Sequence, residues 1–365
     1  MAQNFDHNLS ELFKELVVIE LAGVLAGPSA GLFLAELGAT VIKIENPTTG
    51  GDVTRTWRLP NEPAASQTSA YYWSVNTGKN VRYLNLKTTE GKEQLHALVK
   101  TADIVIANYK LGDASKNGAD YATLSQIQPQ LIYASVNGFG GDSPRTAYDL
   151  ILQAESGFMS MNGTPESGPV KMPVALIDLL AAHQLKEAIL IALLKRERLK
   201  KGSHLSVSLF HSAVASLANQ ATNWLIAHHL PQRTGSLHPN IAPYGEIFTT
   251  ADYQLITFAI GSDDHFKALC EMAHLPELAK DVRFLSNADR VKNRTALYQL
   301  LEPALHSLTF EAIRLFCETH HLPMGRIRNV KEVFELPEAK ELLRNFEHEG
   351  KILQTVSGIA FNFHA

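Results

Sequence analysis

The chain has 365 residues, about two to three domains' worth, and its 45% apolar and 19% charged residues exclude disorder as the main state. With 33 Lys and Arg against 37 Asp and Glu, the formal charge of -4 supplies no bulk basic field to hold nucleic acid. The opening MAQNFDHNLSELFKEL lacks the basic start and apolar run of a secretory signal, and the most apolar stretch, 188–194, is far short of the roughly 20 residues that cross a bilayer, so a cytoplasmic chain without a membrane span is expected.

From residue 16 to about 135, short β-branched runs alternate with amphipathic stretches. VVIEL (17–21) predicts a strand, 28–37 a helix, TVIKIE (40–45) a strand, 90–100 a helix, DIVIANY (103–109) a strand and LIYASV (131–136) another. The strands are nearly continuous apolar runs, which points to a parallel sheet covered on both faces. The expected fold class is therefore α/β, with a Rossmann-like, right-handed doubly wound sheet.

Beyond Phe139, apolar positions recur at three- and four-residue spacing over 147–161, 179–197 and 210–229, which predicts three helices. TGSLHPNIAPYG (234–245) is punctuated by Pro and Gly and precedes a predicted hairpin, 246–250 and 254–259, turning at Ala251-Asp252. Helices over 263–273, 287–306 and 310–320 complete a smaller α+β unit. The expected organisation is a large domain over 1–200, a helical linker over 201–233, a small domain over 234–334, and a return of 335–365 to the large domain.

Gly23, Gly27 and Gly31 are spaced by four, whereas a dinucleotide fingerprint needs two and then three, so Glu45 reads as a strand-end surface charge rather than a ribose ligand. Gly27-Pro28-Ser29-Ala30-Gly31 matches G-x-S-x-G. Its distance from the strand favours small residues that let a helix pack closely over a nucleophile elbow. The 15 histidines include no H-E-x-x-H; the pairs His228-His229 and His320-His321 read as helix-end residues, and no metal site is expected. Cys270 and Cys317, 47 positions apart (317 − 270), read as buried thiols.

Asp178 is the most informative acid. It stands near the start of a long predicted helix, where backbone amides and the dipole are expected to keep it ionised at neutral pH. That position suits an ordinary N-cap or an acyl-accepting nucleophile beside oxyanion donors, and spacing does not choose between them.

Several long pieces in order, VIELAGVLAGPSAGLFLAELGATVIKIE, NLKTTEGKEQLHALVKTADIVIANY, YDLILQAESGFMSMNG, the Asp178 helix, HPNIAPYGEIFTTAD and FLSNADRVKNR, resemble the family III CoA-transferases from about Val17 to Glu338. The family also holds α-methylacyl-CoA racemases. The resemblance implies an interlaced homodimer and a transferase of a sulfur-containing group that moves CoA from an acyl-CoA to a carboxylic acid, with Asp178 as covalent nucleophile. It implies Tyr148 where racemases carry a histidine base, and a phenol with a pKa near 10 favours transfer over proton abstraction. It further implies CoA contacts from Gly23, Val24, Leu25, Ala26, Leu84, Lys87, Asn108, Tyr109 and Lys116, with CoA as substrate and no metal. Asn46 and Lys116 stand where formyl-CoA transferase has arginines; Gly325-Arg326 stands where many members have Gly-Pro, and neither the glycine-rich loop of formyl-CoA transferase nor the family's usual helical tail is expected here. An acyl-CoA racemase or epimerase on this scaffold and a catalytically silent CoA-binding homologue are the alternatives.

Overall fold

Val17–Glu20 (β1) leads into α1 (Ala26–Glu36), and Thr40–Glu45 (β2) runs parallel beside β1. These belong to a computed structural model that describes residues 11–62, 66, 68–141 and 143–362. Continuing along the chain come α2 (Ala70–Asn76), β3 (Asn80–Tyr83), α3 (Thr89–Val99), β4 (Ile104–Ala107), α4 (Asp113–Lys116), α5 (Tyr121–Ile127) and β5 (Ile132–Asn137). Then follow α6 (Asp149–Glu155), α7 (Phe158–Met161), α8 (Leu176–Leu199), β6 (Ser203–Ser208), α9 (Leu209–Ala215) and α10 (Ala218–Ala227). The six strands form one parallel sheet in the order β3-β2-β1-β4-β5-β6, so the doubly wound α/β expectation holds.

Alternation along the strands shows how both faces are covered. Val18, Ile104 and Ile106 join the core built on α1 and α8, while their neighbours Ile19, Val105 and Ala107 join the core built on α3 and α5. Each strand needs apolar residues on both sides, which is why the central strands read as continuous runs. The edges β3 and β6 were not predicted: NVRY and SHLSVS are largely polar, and only pairing with β2 and β5 makes them strands. Gly27 and Gly31 serve close packing. A Cβ on Gly27 would lie 2.4 Å from that of Ala22, and one on Gly31 would lie 1.8 Å from a Glu20 carboxylate oxygen.

Two of the long predicted helices in this part are interrupted. The span 147–161 breaks at Ser156-Gly157, where Gly157 has φ 91°, and 210–229 breaks between α9 and α10. The chain divides into two compact units, the first comprising 1–160, 171–231 and 337–365, and the second 161–170 and 232–336. Of residues 201–233, expected as a linker, 201–231 instead belong to the first unit and supply its edge strand β6 and two helices. The hairpin β10 (Leu343–His348) and β11 (Lys351–Val356) also belongs to it, packing the tilted rings of Phe346 and His348 against Trp73 with centroids 4.9 and 4.6 Å away.

In the second unit β7 (Tyr244–Thr249) and β8 (Leu255–Ala259) form the predicted hairpin, and β9 (Met324–Arg326) adds a third antiparallel strand. The hairpin tip is set by Asp252, whose Oδ1 accepts from Thr250 Oγ1 at 2.7 Å. Helices α11 (Asp263–Met272), α12 (Asn287–Lys292), α13 (Arg294–His306) and α14 (Phe310–Thr319) bury Phe266, Leu297, Leu301 and both cysteines against it. Among the described residues no helix is long and apolar enough to cross a membrane.

Candidate active site

In an open parallel sheet, the crevice beyond the carboxyl ends of the strands opens where the strand order reverses, here between β1 and β4. Two cavities lie there. One of about 230 Å³ is lined by Gly23, Val24, Ala26, Asn108, Tyr109, Tyr148 and Asp178, together with Lys110, Asn137 and Arg145. The other, about 290 Å³, is lined by Asn46, Asp52, Leu84, Lys87 and Asn117 and shares Gly23 and Tyr109 with the first.

The shared edge is the turn after β1. Asn108 locks it to the end of β4 by accepting from the Gly23 amide at 3.1 Å and donating to the Gly23 carbonyl at 2.8 Å. Val24 follows in the left-handed region at φ 71°, a conformation that a β-branched residue adopts only under constraint. Ser29, the central serine of G-x-S-x-G, is buried within α1 and donates to the Leu25 carbonyl at 2.8 Å, so its hydroxyl serves the helix.

Asp178 occupies the third position of α8, after the N-cap Ala175. The residue is 8% exposed, and its carboxyl faces the smaller cavity and has no hydrogen-bond partner among the described residues. The expectation that helix amides hold it ionised needs correction. The Ile177 amide at this helix start donates to Asp149 Oδ1 at 2.7 Å, so Asp149 caps α8 and Asp178 receives nothing. Burial first, and the Asp149 charge second, push the Asp178 carboxyl up to about 7. Gln153 Nε2 holds the other Asp149 oxygen at 2.7 Å.

Sequence reasoning missed Asp149. It opens α6 and reads as that helix's own first-turn acid, but it caps a helix 28 residues downstream. Tyr71 was also missed: burial pushes its phenol up to about 12, and the Asp178 and Asp149 charges add to this. Tyr148 stands on the cavity wall as the N-cap residue of α6, half exposed. Tyr109 is half-buried, and the loss of solvent around its phenol raises it to about 12.

Seven of the residues carried over by resemblance (Gly23, Val24, Ala26, Asn108, Tyr109, Tyr148 and Asp178) line the smaller cavity, and Leu84 and Lys87 line its neighbour. Two do not line either. Leu25 is the buried N-cap residue of α1, and Lys116 is exposed and paired with Asp113 at 3.0 Å, while the adjacent Asn117 lines the larger cavity. Glu45 is no surface charge: it is buried and takes a bidentate pair from Arg55, at 2.7 and 2.9 Å. His228 and His320 are the C-cap residues of α10 and α14.

The family model of CoA-transferase family III matches residues 13–364. The succinate–glutarate CoA-transferase of Agrobacterium fabrum is 40% identical over 329 residues, covering 88% of this chain and 82% of that protein. The succinyl-CoA:glutarate CoA-transferase of Homo sapiens is 34% identical over 355 residues, covering 95% and 80%. The crystal structure of a CAIB/BAIF family protein from Brucella suis superposes with a TM-score of 0.84 at 38% identity, covering 95% of this chain and 91% of that one. A doubly wound sheet with paired cavities at its reversal point, together with matches spanning nearly the whole sequence, places this chain in CoA-transferase family III.

Proposed function

We propose that this CoA-transferase moves CoA from an acyl-CoA thioester to a free short-chain dicarboxylate through covalent chemistry at Asp178. The observation that carries the reading is the Asp178 carboxyl: buried, unpartnered among the described residues, and facing a cavity that adjoins a second one lined by Lys87 and Tyr109. A carboxylate without hydrogen bonds keeps its lone pairs for attack, and the higher pKa that burial confers makes it more nucleophilic once ionised.

The cycle balances as four acyl transfers. Asp178 attacks the donor thioester carbonyl, the C–S bond breaks, and CoA thiolate leaves behind a mixed anhydride. The thiolate then attacks the Asp178 carbonyl carbon and expels the donor acid, leaving an aspartyl-CoA thioester. The acceptor carboxylate attacks that thioester, releasing thiolate and forming a second anhydride. Thiolate finally attacks the acceptor's acyl carbon, producing the new acyl-CoA and the free Asp178 carboxylate. The group carried is CoA, bonded through its sulfur. Burial of Asp178 excludes water, which would otherwise hydrolyse both kinds of intermediate. Tyr148, on the same wall, supplies a phenol O–H as a donor toward a developing oxyanion.

Lys87 at the larger cavity offers a cation for CoA phosphates, while at the smaller one Lys110, beside an Arg145 that is paired with Glu155, offers charge to the second carboxylate of an acyl group. The Agrobacterium and human relatives are named for succinate and glutarate, which supports a dicarboxylate. By the same resemblance the chain works as an interlaced homodimer.

The test is Asp178→Ala assayed by mass spectrometry with succinyl-CoA and a panel of acids. Transfer is expected to fall by at least about a thousandfold while CoA binding stays within about threefold; full activity would remove the mechanism. Hydroxylamine is expected to inactivate the wild type only when acyl-CoA is present. Exchange of the α-hydrogen in heavy water without change of acyl partner would select the racemase reading instead.

A further inference from the structure

The turn between β1 and α1 is held at each backbone polar group from the Ala22 carbonyl to the Val24 amide, and two of the holding groups come from a buried ion cluster. Lys43, on β2, donates to the Ala22 carbonyl at 2.9 Å and to Glu20 Oε1 at 3.0 Å, and pairs with Asp52 Oδ2 at 3.0 Å. Asp52 in turn accepts from the Val24 amide at 3.3 Å. It is oriented by Thr54, whose amide and hydroxyl donate to its Oδ1 at 3.0 and 2.8 Å, and its own amide is fixed by Glu45 Oε2 at 3.1 Å. The side chains of Lys43 and Asp52 are 1% exposed.

So rigid an arrangement exceeds what a surface turn requires, and what it holds is costly. Val24 sits at φ 71°, where a branched side chain is disfavoured, and it lines the same cavity as Asp178. Residues held in such a conformation need surroundings that over-determine them, and here the surroundings are the Lys43–Asp52 pair and Asn108. Released, Val24 would move to φ < 0 and carry the start of α1 with it, changing the cavity wall opposite the reacting carboxyl.

We infer that Asp52 is a positioning residue for the transfer reaction, acting through the Val24 amide to keep the β1–α1 turn in the conformation that shapes the acyl cavity. This rests on the reading of Asp178 as acyl acceptor, since the cavity is argued to be the acyl site. Asp52 touches no reacting atom in this scheme; it sets geometry, and misplacement by an ångström is enough to slow a transfer step severely.

The experiment is a double-mutant cycle in the full-length protein, with kcat and the acyl-CoA KM measured separately and thermal melts run alongside. Asp52→Asn is expected to lower kcat at least about tenfold with KM within about threefold. Val24→Gly accepts φ > 0 without strain, so in that background Asp52→Asn is expected to cost less than about threefold in kcat. Strictly multiplicative effects, or a rise in KM with kcat kept, would overturn the inference, the latter by making Asp52 a contact of the nucleotide cavity. If Asp52→Asn does not fold, Thr54→Val loosens the same carboxylate while keeping its pair with Lys43, and is expected to lower kcat about threefold; an unchanged kcat overturns the proposal. A fully active Asp178→Ala would defeat the acyl-acceptor reading by itself, and the coupling of Asp52 to Val24 would remain measurable in the same assay.

Discussion

Asp52 and Asp178 are both aspartates, both more than nine-tenths buried, and both at the rim of one sheet, yet they live in opposite surroundings. Asp52 is saturated: burial alone would raise its pKa, but the Lys43 ammonium and the Thr54 donors hold it below the usual carboxylate range. Asp178 has none of this, so burial wins and its carboxyl rises to about 7. A carboxylate with all its lone pairs engaged is tied into the structure, and one with none engaged keeps them for whatever enters the cavity. What separates them is the placement of donors, not the residue type.

That contrast is open to attack from its structural side first, with the largest expected loss of stability. Lys43→Met strands the buried Asp52 charge and leaves Glu20 with Lys79 as its one cation, and is expected to destabilise the first unit by about 3–5 kcal/mol in chemical denaturation. A loss under about 1 kcal/mol would mean that the cluster is solvated and that Asp52 is no more constrained than Asp178.

Asp178→Asn tests the reactive side through pH. Below about pH 3 the carboxyl is protonated in both folded and unfolded chains and contributes nothing. As pH rises toward 7 the unfolded chain ionises first, so the wild type loses stability that the neutral Asn keeps. The advantage of Asn is expected to widen by about 3 kcal/mol between pH 4.5 and pH 8 in parallel melts. A constant difference would place Asp178 at an ordinary pKa. Because attack needs the ionised form, the wild-type kcat/KM should also rise with unit slope up to about pH 7.

The smallest effect sharpens the comparison instead. Asp149→Asn removes the charge beside Asp178 but keeps an oxygen for the Ile177 amide. The acid limb of kcat/KM is expected to move to lower pH, with stability changed by less than about 1 kcal/mol. An unmoved limb would show that burial alone sets the Asp178 pKa.

Much of the fold was legible because its central strands are apolar on both faces and its helices periodic. Edge strands such as β3 escaped notice, since their strand character comes from a neighbour rather than from NVRY itself. Within the site, Asp178 was visible as an acid at a helix start, but its protonation was misjudged. Knowing that required knowing that Asp149 takes the free amide, and no local spacing reports a cap delivered from another helix. Glu45 was read as solvated for a similar reason: its partner Arg55 sits ten residues on, in a 3₁₀ turn with no periodic signature.

Hydrophobic pattern and the run of matching segments determined the sheet and the family and pointed to Asp178, because those depend on residue order alone. Which buried carboxylate is tied down and which is left free was decided only when the chain closed. Charge state in a protein interior follows the distances to donors and counterions, and those distances exist only between segments far apart in sequence.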